Sequence, residues 1–286
     1  MAAGEEKAGF PKFKSKHTAR KSFYLEGSIT VAAKEIRLPR IGWARLKEKG
    51  YLPCSDVRNL SCLITERAGR WFVSLFVEEE ISDMTPRGEI VGIDLGINRL
   101  ATCSNGAVIE NSKQLKRSLK KLQRAQRELS RKQKGSKNRA KARAKVAQIH
   151  LDIRNQRLDA IHKGTSAVVA KAKPAHQRPQ AIVLEDLHVK GMVKNHRLAQ
   201  ALHDASLGEI RRQFEYKAAW SGIEIRVAGR WYPSTKRCHR CQRKKADMAL
   251  SERIYRCEHC HLMMDRDLNA ALNLARVDPL KQATYR

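Results

Sequence analysis

Two short apolar runs, each carrying a single carboxylate, constrain this chain most. Ile90-Val91-Gly92-Ile93-Asp94-Leu95-Gly96 holds Asp94 among core-type residues, and Ala181-Ile182-Val183-Leu184-Glu185 ends on Glu185. Runs this long, apolar at consecutive positions, read as strands buried on both faces. A third acid, Asp267, opens the amphipathic stretch Asp267-Leu268-Asn269-Ala270-Ala271-Leu272-Asn273-Leu274. Two interior strands and one helix that each bring a carboxylate to one point make a hard-oxygen site suited to Mg²⁺. Such sites hydrolyse phosphodiesters with two ions about 3.5–4 Å apart.

The charge points the same way. With 58 Lys and Arg against 29 Asp and Glu, the 286 residues carry a formal net charge of +29. A polyanionic partner is the economical explanation, because neutralising phosphates releases counterions. A membrane surface is the rival polyanion. No run approaches the ~20 apolar residues a bilayer requires, and the N-terminus shows no signal-peptide core, so a soluble, cytoplasmic protein with no membrane partner is expected. Seven cysteines, an odd number with four in two close pairs, suit metal ligation better than disulfides.

Along the chain, residues 1–20 read as a disordered basic start. Residues 21–85 read as a small antiparallel β module, a partial β-barrel, with a turn at Leu38-Pro39-Arg40-Ile41-Gly42 and a linker at Ser82 to Gly88. Residues 86–229 form the main domain. Its first strand, at 90–95, is followed by Leu100-Ala101-Thr102-Cys103-Ser104, and Asn105-Gly106 signals a hairpin into Ala107-Val108-Ile109. A basic helical hairpin is expected over 113–172, broken at Gly135-Ser136. Strand 181–185 leads into a loop rich in His and Lys, then a helix at about 206–220 and a strand at Ile223 to Val227. A meander of three strands followed by helix, strand, helix, strand is the order of an RNase H-like α/β domain. Residues 230–264 form a zinc ribbon, 265–277 the final helix of the domain, and 278–286 a tail.

Cys238-His239-Arg240-Cys241 and Cys257-Glu258-His259-Cys260 are two CxxC knuckles with fifteen residues between them. Four thiolates at this spacing close a tetrahedral Zn²⁺ site and leave no open position, so this metal is expected to be structural.

With these residues in hand, the chain resembles the TnpB/OrfB proteins of bacterial and archaeal insertion sequences, relatives of type V CRISPR effector nucleases. The matching pieces are Gly92-Ile93-Asp94-Leu95-Gly96, Leu129-Ser130-Arg131-Lys132 with Gly135-Ser136-Lys137-Asn138, and Leu184-Glu185-Asp186-Leu187. Tyr232-Pro233-Ser234-Thr235-Lys236-Arg237-Cys238, the second CxxC and Asp265-Arg266-Asp267-Leu268-Asn269-Ala270-Ala271 complete the set, in order over most of 10–277. The resemblance implies a RuvC-type nuclease split by a zinc ribbon, with Asp94, Glu185 and Asp267 binding two Mg²⁺. It further implies DNA as substrate, a guide RNA from the transposon end as partner, and a role in transposition and DNA recombination. Full-length members carry a helical recognition domain and the first wedge strands ahead of the β module. Here the sequence begins within that module, so the guide-gripping part is expected to be largely missing.

Several residues have plainer readings. In Asp265-Arg266-Asp267 only one carboxylate should face the metals, because residues two apart on a helix diverge. Asp265 suits an N-cap and Asp267 the metal. Asp186 is read as structural, and Cys54, Cys62 and Cys103 as strand or core cysteines. Between Lys113 and Lys145 Glu128 is the sole acid, so the hairpin needs a counter-charge. Arg124, Arg127, Arg131, Lys132, Lys137 and Arg139 are the expected phosphate contacts, with Arg266 near the scissile phosphate. Trp231 and Tyr232 either anchor the ribbon or stack on a base. The competing reading is a non-catalytic DNA- or RNA-binding zinc protein that modulates transposition. It shares the charge and the ribbon but has no use for three carboxylates.

Overall fold

A computed structural model describes residues 21–54, 57–79, 85–170, 173–249 and 251–277. The expected basic start, the tail and the first three residues of the linker, 82–84, lie outside the described residues. The chain divides into two compact units, residues 1–80 and 81–286.

The first unit is all antiparallel β. Strands β1 (Ser22–Glu26), β5 (Arg58–Arg67) and β6 (Arg70–Glu78) form one three-stranded sheet in the order β1-β5-β6. Strands β2 (Thr30–Val31), β3 (Glu35–Leu38) and β4 (Gly42–Arg45) form another. Their inner faces share a core of Ile29, Val31, Ile36, Leu38, Cys62 and Ile64. The β5–β6 connection is a two-residue hairpin with both Ala68 and Gly69 at positive φ, the twist that right-handed strands favour. Pro39 and Arg40 turn β3 into β4 as the sequence suggests.

The second unit is built on a five-stranded sheet. β7 (Val91–Leu95), β8 (Arg99–Cys103) and β9 (Val108–Glu110) form an antiparallel meander; β10 (Ala181–Glu185) and β11 (Glu224–Ala228) add in parallel on the other side. The order is β11-β10-β7-β8-β9, with β7 in the middle. Because side chains alternate across a strand, Val91, Ile93, Ile182 and Leu184 face one side. There they meet Ile161, Val168 and Val169 of α2 (Lys137–Val169) and Ile210, Phe214 and Ala218 of α5 (Leu207–Trp220). Gly92, Asp94, Val183 and Glu185 face the other side, which α6 (Arg266–Ala275) covers through Leu274. Both faces are covered, which is why these strands lack polar alternation.

The helix α1 (Gln114–Ser130) packs along the first half of α2 through Leu122, Ala125, Ile149 and Ile153. Ser136 caps α2, accepting a hydrogen bond from the Arg139 N–H at 3.1 Å. The second half of α2 is rooted in the main core, so one long helix joins the basic hairpin to the sheet.

The segment read as a His- and Lys-rich loop is instead helical. A turn, α3 (Val189–Met192), precedes α4 (His196–Ala205), which Asn195 caps. Leu198, Leu202 and Ala205 follow helical spacing, and the last two are buried. Polar residues on the outer face concealed that stripe from a reading by composition. Among the described residues no helix is long and apolar enough to cross a membrane.

Candidate functional site

Asp94 and Glu185 come together through strand register. Leu184 lies beside Ile93 in the parallel β10–β7 pair, so the next step sets Glu185 beside Asp94 on the same face. The third acid arrives on α6. This helix presses against β7 at Gly92, where an added Cβ would stand 2.1 Å from the Ala271 carbonyl oxygen and 2.3 Å from the Ala275 nitrogen. Asp265 caps α6, its carboxylate accepting from the N–H groups of Asp267 and Leu268 at 2.9 and 3.0 Å, and also pairs with Arg99 at 3.1 Å. With its oxygens engaged in this way, Asp265 leaves Asp267 in the first helical turn near the other two acids.

The electrostatics reflect this convergence. Burial, and after it the charges of Glu185, Asp267 and, more weakly, Asp265, hold the Asp94 carboxyl well above the usual carboxylate range, against a lowering pull from Arg266. Burial also raises Glu185, opposed by a hydrogen bond that the Ser234 hydroxyl donates to its carboxylate. Clustered acids with raised proton affinity are what a cation relieves. All three offer the hard oxygens Mg²⁺ requires. Among the described residues, the group of His, Cys, Asp or Glu side chains gathered closely enough to hold a metal ion directly is the four ribbon cysteines. Asp186 turns away to pair with Arg230 at 2.8 Å and Arg211 at 3.6 Å.

The four ribbon cysteines gather as the sequence suggests. Their Sγ atoms all lie within 4.8 Å of one another, with Cys238 and Cys260 at 3.6 Å and Cys241 and Cys257 at 3.5 Å. No disulfide joins them. A tetrahedral Zn²⁺ with bonds of ~2.3 Å implies Sγ–Sγ separations of about 3.8 Å, so the cluster fits zinc. Burial opposes ionisation of Cys257, yet the N–H groups of Cys260 and His259, together with the Cys241 and Cys260 thiols, outweigh it and bring this thiol down to about 6. Burial pushes Cys238 up to about 12. The ribbon hairpin is β12 (Ile254–Arg256) with β13 (Met263–Asp265), and Tyr255 packs against Cys238 and Cys257.

Among the expected phosphate contacts, Arg124, Arg127, Arg131, Lys132 and Lys137 are exposed on the hairpin and its tip. Arg139 is half-buried, and one guanidinium nitrogen donates to the Leu129 and Lys132 carbonyls at 3.1 and 2.8 Å, closing the end of α1. Arg266 likewise donates to the Ala249 and Glu252 carbonyls at 3.3 and 3.0 Å, binding the ribbon loop. The long flexible side chains of both reach backbone carbonyls that motif spacing does not reveal. Glu128 pairs with Lys145 at 3.0 Å. Tyr232 anchors the ribbon, its hydroxyl donating to the Asn273 carbonyl at 3.1 Å, while Trp231 is 76% exposed. Cys62 and Cys103 are core residues; Cys54 is exposed, outside any strand.

Three groups at the site escaped the sequence reading: Ser234, and Asn269 with Asn273 one turn apart on α6. Both asparagines are fully buried. Their side chains hold the backbone around Cys238, and the only signal in the sequence is two amides on an otherwise apolar helix face.

This is a mixed α/β protein with neighbouring carboxylates on two interior strands and a four-cysteine ribbon. A family model described as "Probable transposase", OrfB, matches residues 74–196, and one described as "Cas12f1-like, TNB domain" matches residues 208–274. A Streptomyces pristinaespiralis protein provisionally named RNA-guided DNA endonuclease is 38% identical over 94% of this chain and 65% of its own length. InsQ of Escherichia coli K12, under the same provisional name, is 32% identical over 94% of this chain and 68% of its own. The chain thus spans about two thirds of the length of these curated relatives. It belongs to the TnpB/OrfB family. The fold is shared with the Cas12f1 chain solved as an sgRNA–target DNA complex, at a TM-score of 0.50 and 19% identity, covering 77% of this chain and 46% of that one.

Proposed function

We propose that this chain is a Mg²⁺-dependent DNA endonuclease with an RNase H-like, RuvC-type domain. The observation that carries this reading is the β7–β10 register, which sets Asp94 beside Glu185 on the face where α6 delivers Asp267. In this reading those three residues hold a pair of divalent ions. Bound ions would supply an activated water and a clamp on the leaving oxygen of the phosphodiester. Asp265 and Arg99 fix the start of α6, and so the height of Asp267 above the sheet. Arg124, Arg127, Arg131, Lys132 and Lys137 grip phosphates without reading sequence. The cysteine cluster holds a structural Zn²⁺, and Arg266 secures the loop beside it. The names of the relatives support DNA as substrate and an RNA guide as partner.

The test is cleavage of labelled single- and double-stranded DNA by purified protein in Mg²⁺, with and without RNA from the same locus, using Glu185→Gln as the control. Mg²⁺-dependent cutting that the variant lacks is the expected result, and dependence on RNA would establish guidance. Tight DNA binding without cutting under any of these conditions would leave a non-catalytic nucleic-acid-binding protein instead.

A further inference from the structure

We propose that Ser234 is a positioning residue for Glu185, and that Asn273 ties it to the first zinc knuckle. The folded ribbon thereby sets the orientation of a carboxylate at the divalent-metal site. This rests on the metal-site reading above.

Ser234 is buried, 4% exposed, and its hydroxyl donates to Glu185 Oε1. It sits in a tight turn: its N–H donates to the Tyr232 carbonyl at 2.8 Å, and the Arg237 N–H donates to the Pro233 carbonyl at 3.0 Å. The Asn273 amide donates to the Ser234 carbonyl at 2.8 Å and to the Arg237 carbonyl at 2.6 Å. Asn269 completes the clasp, donating to the Arg237 carbonyl at 2.8 Å and accepting the His239 N–H at 3.0 Å. Arg237 and His239 flank Cys238. A continuous set of hydrogen bonds therefore runs from the backbone around a zinc ligand, through α6, to the Glu185 carboxylate.

Glu185 needs such a partner more than Asp94 does. A glutamate has one more rotatable bond between backbone and carboxylate, so its oxygens sweep a larger volume. A fixed hydroxyl on one oxygen leaves the remaining lone pairs directed outward, as outer partners do at metal sites generally. If Ser234 merely satisfied a buried acceptor, its removal would alter stability and leave ion affinity as it was.

The experiment is an Mn²⁺ titration of the zinc-loaded full chain, followed by electron paramagnetic resonance. It compares the wild type with Ser234→Ala, Ser234→Thr, Asn273→Ala and Asp94→Asn. Ser234→Ala should weaken Mn²⁺ binding about 10–100-fold and Ser234→Thr restore it, the range seen when outer partners of metal ligands are removed. The cobalt–thiolate absorption of a Co²⁺-substituted ribbon should be unchanged in Ser234→Ala, while the thermal midpoint falls modestly because a buried acceptor loses its donor. Asn273→Ala should weaken Mn²⁺ in the same direction; wild-type affinity there would remove the link to the ribbon. If Ser234→Ala binds Mn²⁺ like the wild type while Asp94→Asn does not, the positioning role is overturned and the metal site stands. If the wild type binds no better than Asp94→Asn, the metal-site reading falls and takes this one with it.

Discussion

Gly92 of β7 lies directly against Ala271 of α6, so close that a Cβ on the glycine would stand 2.1 Å from the Ala271 carbonyl oxygen. Two residues along a strand advance about 6.6 Å, and four residues along a helix about 6 Å. Stepping from Gly92 to Asp94 and from Ala271 back to Asp267 therefore covers nearly the same distance, and contact at the first pair brings the second pair together. Gly92→Ala must push α6 outward against backbone, which cannot swing aside as a side-chain tip can. A loss of about 3 kcal/mol is expected by urea unfolding, together with loss of Mg²⁺-dependent cleavage. Full stability in the variant would show that α6 does not rest on this glycine.

Asp204 ends α4 and is 7% exposed, yet its carboxylate serves a helix far away in sequence. It accepts from the N–H groups of Leu115 and Lys116 at 3.1 and 3.4 Å, capping α1 where Lys113 provides no side-chain cap. It also pairs with Arg157 of α2 at 3.0 Å. Asp204→Ala leaves a largely buried guanidinium and two orphan donors, so about 3 kcal/mol should be lost. Hydrogen exchange checks the location of the effect: protection should fall first at Leu115 and Lys116. A uniform loss across the domain would contradict a capping role.

What the sequence disclosed and what it withheld divide along physical lines. The strands carrying Asp94 and Glu185 were legible because burial on both faces removes polar alternation. The β8–β9 hairpin was legible from Asn105-Gly106, and the cap on α6 from Asp265. The cysteine cluster followed from ligand spacing. α4 was missed because Leu198, Leu202 and Ala205 are sparse among His, Arg and Gln. The cap from Asp204 spans 89 residues to Leu115, and the Ser234–Glu185 bond spans 49; neither leaves a local pattern. The reach of Arg139 and Arg266 to backbone carbonyls leaves no pattern either, because it depends on how the chain folds back.

Lys217 of α5 is 6% exposed and donates three hydrogen bonds: to the His162 carbonyl at 2.8 Å, Thr165 Oγ1 at 2.6 Å and Ser166 Oγ at 2.9 Å. All three acceptors are neutral, and burial lowers the amine to about 8. Its unfolded value is about 10.4. Between these two values the unfolded chain binds more protons than the folded one, so this residue makes stability rise with pH across that window and adds nothing to the slope below it. The stability difference between wild type and Lys217→Met should shift in favour of the wild type by about 3 kcal/mol from pH 8 to 10.4. Parallel stability–pH curves for the two proteins would mean that the amine titrates alike in the folded and unfolded chains.

The cysteine cluster offers the last test, because the clasp of Asn269 and Asn273 makes the ribbon part of the domain and not an independent lobe. If Zn²⁺ fills the cluster, its removal costs the binding energy of a structural site, about 10–16 kcal/mol in small zinc-folded peptides. Part of that loss must pass into α6, whose buried asparagines would face an unfolded segment with their hydrogen bonds unmet. Release of one zinc per chain, followed with a metallochromic dye, should expose four reactive thiols and lower the thermal midpoint by at least about 10 °C. Mn²⁺ binding at the carboxylates should weaken in the same titration. An unchanged melting curve after one equivalent of zinc has been released would mean the ribbon holds its shape by packing alone, with Tyr255 rather than the metal as its core.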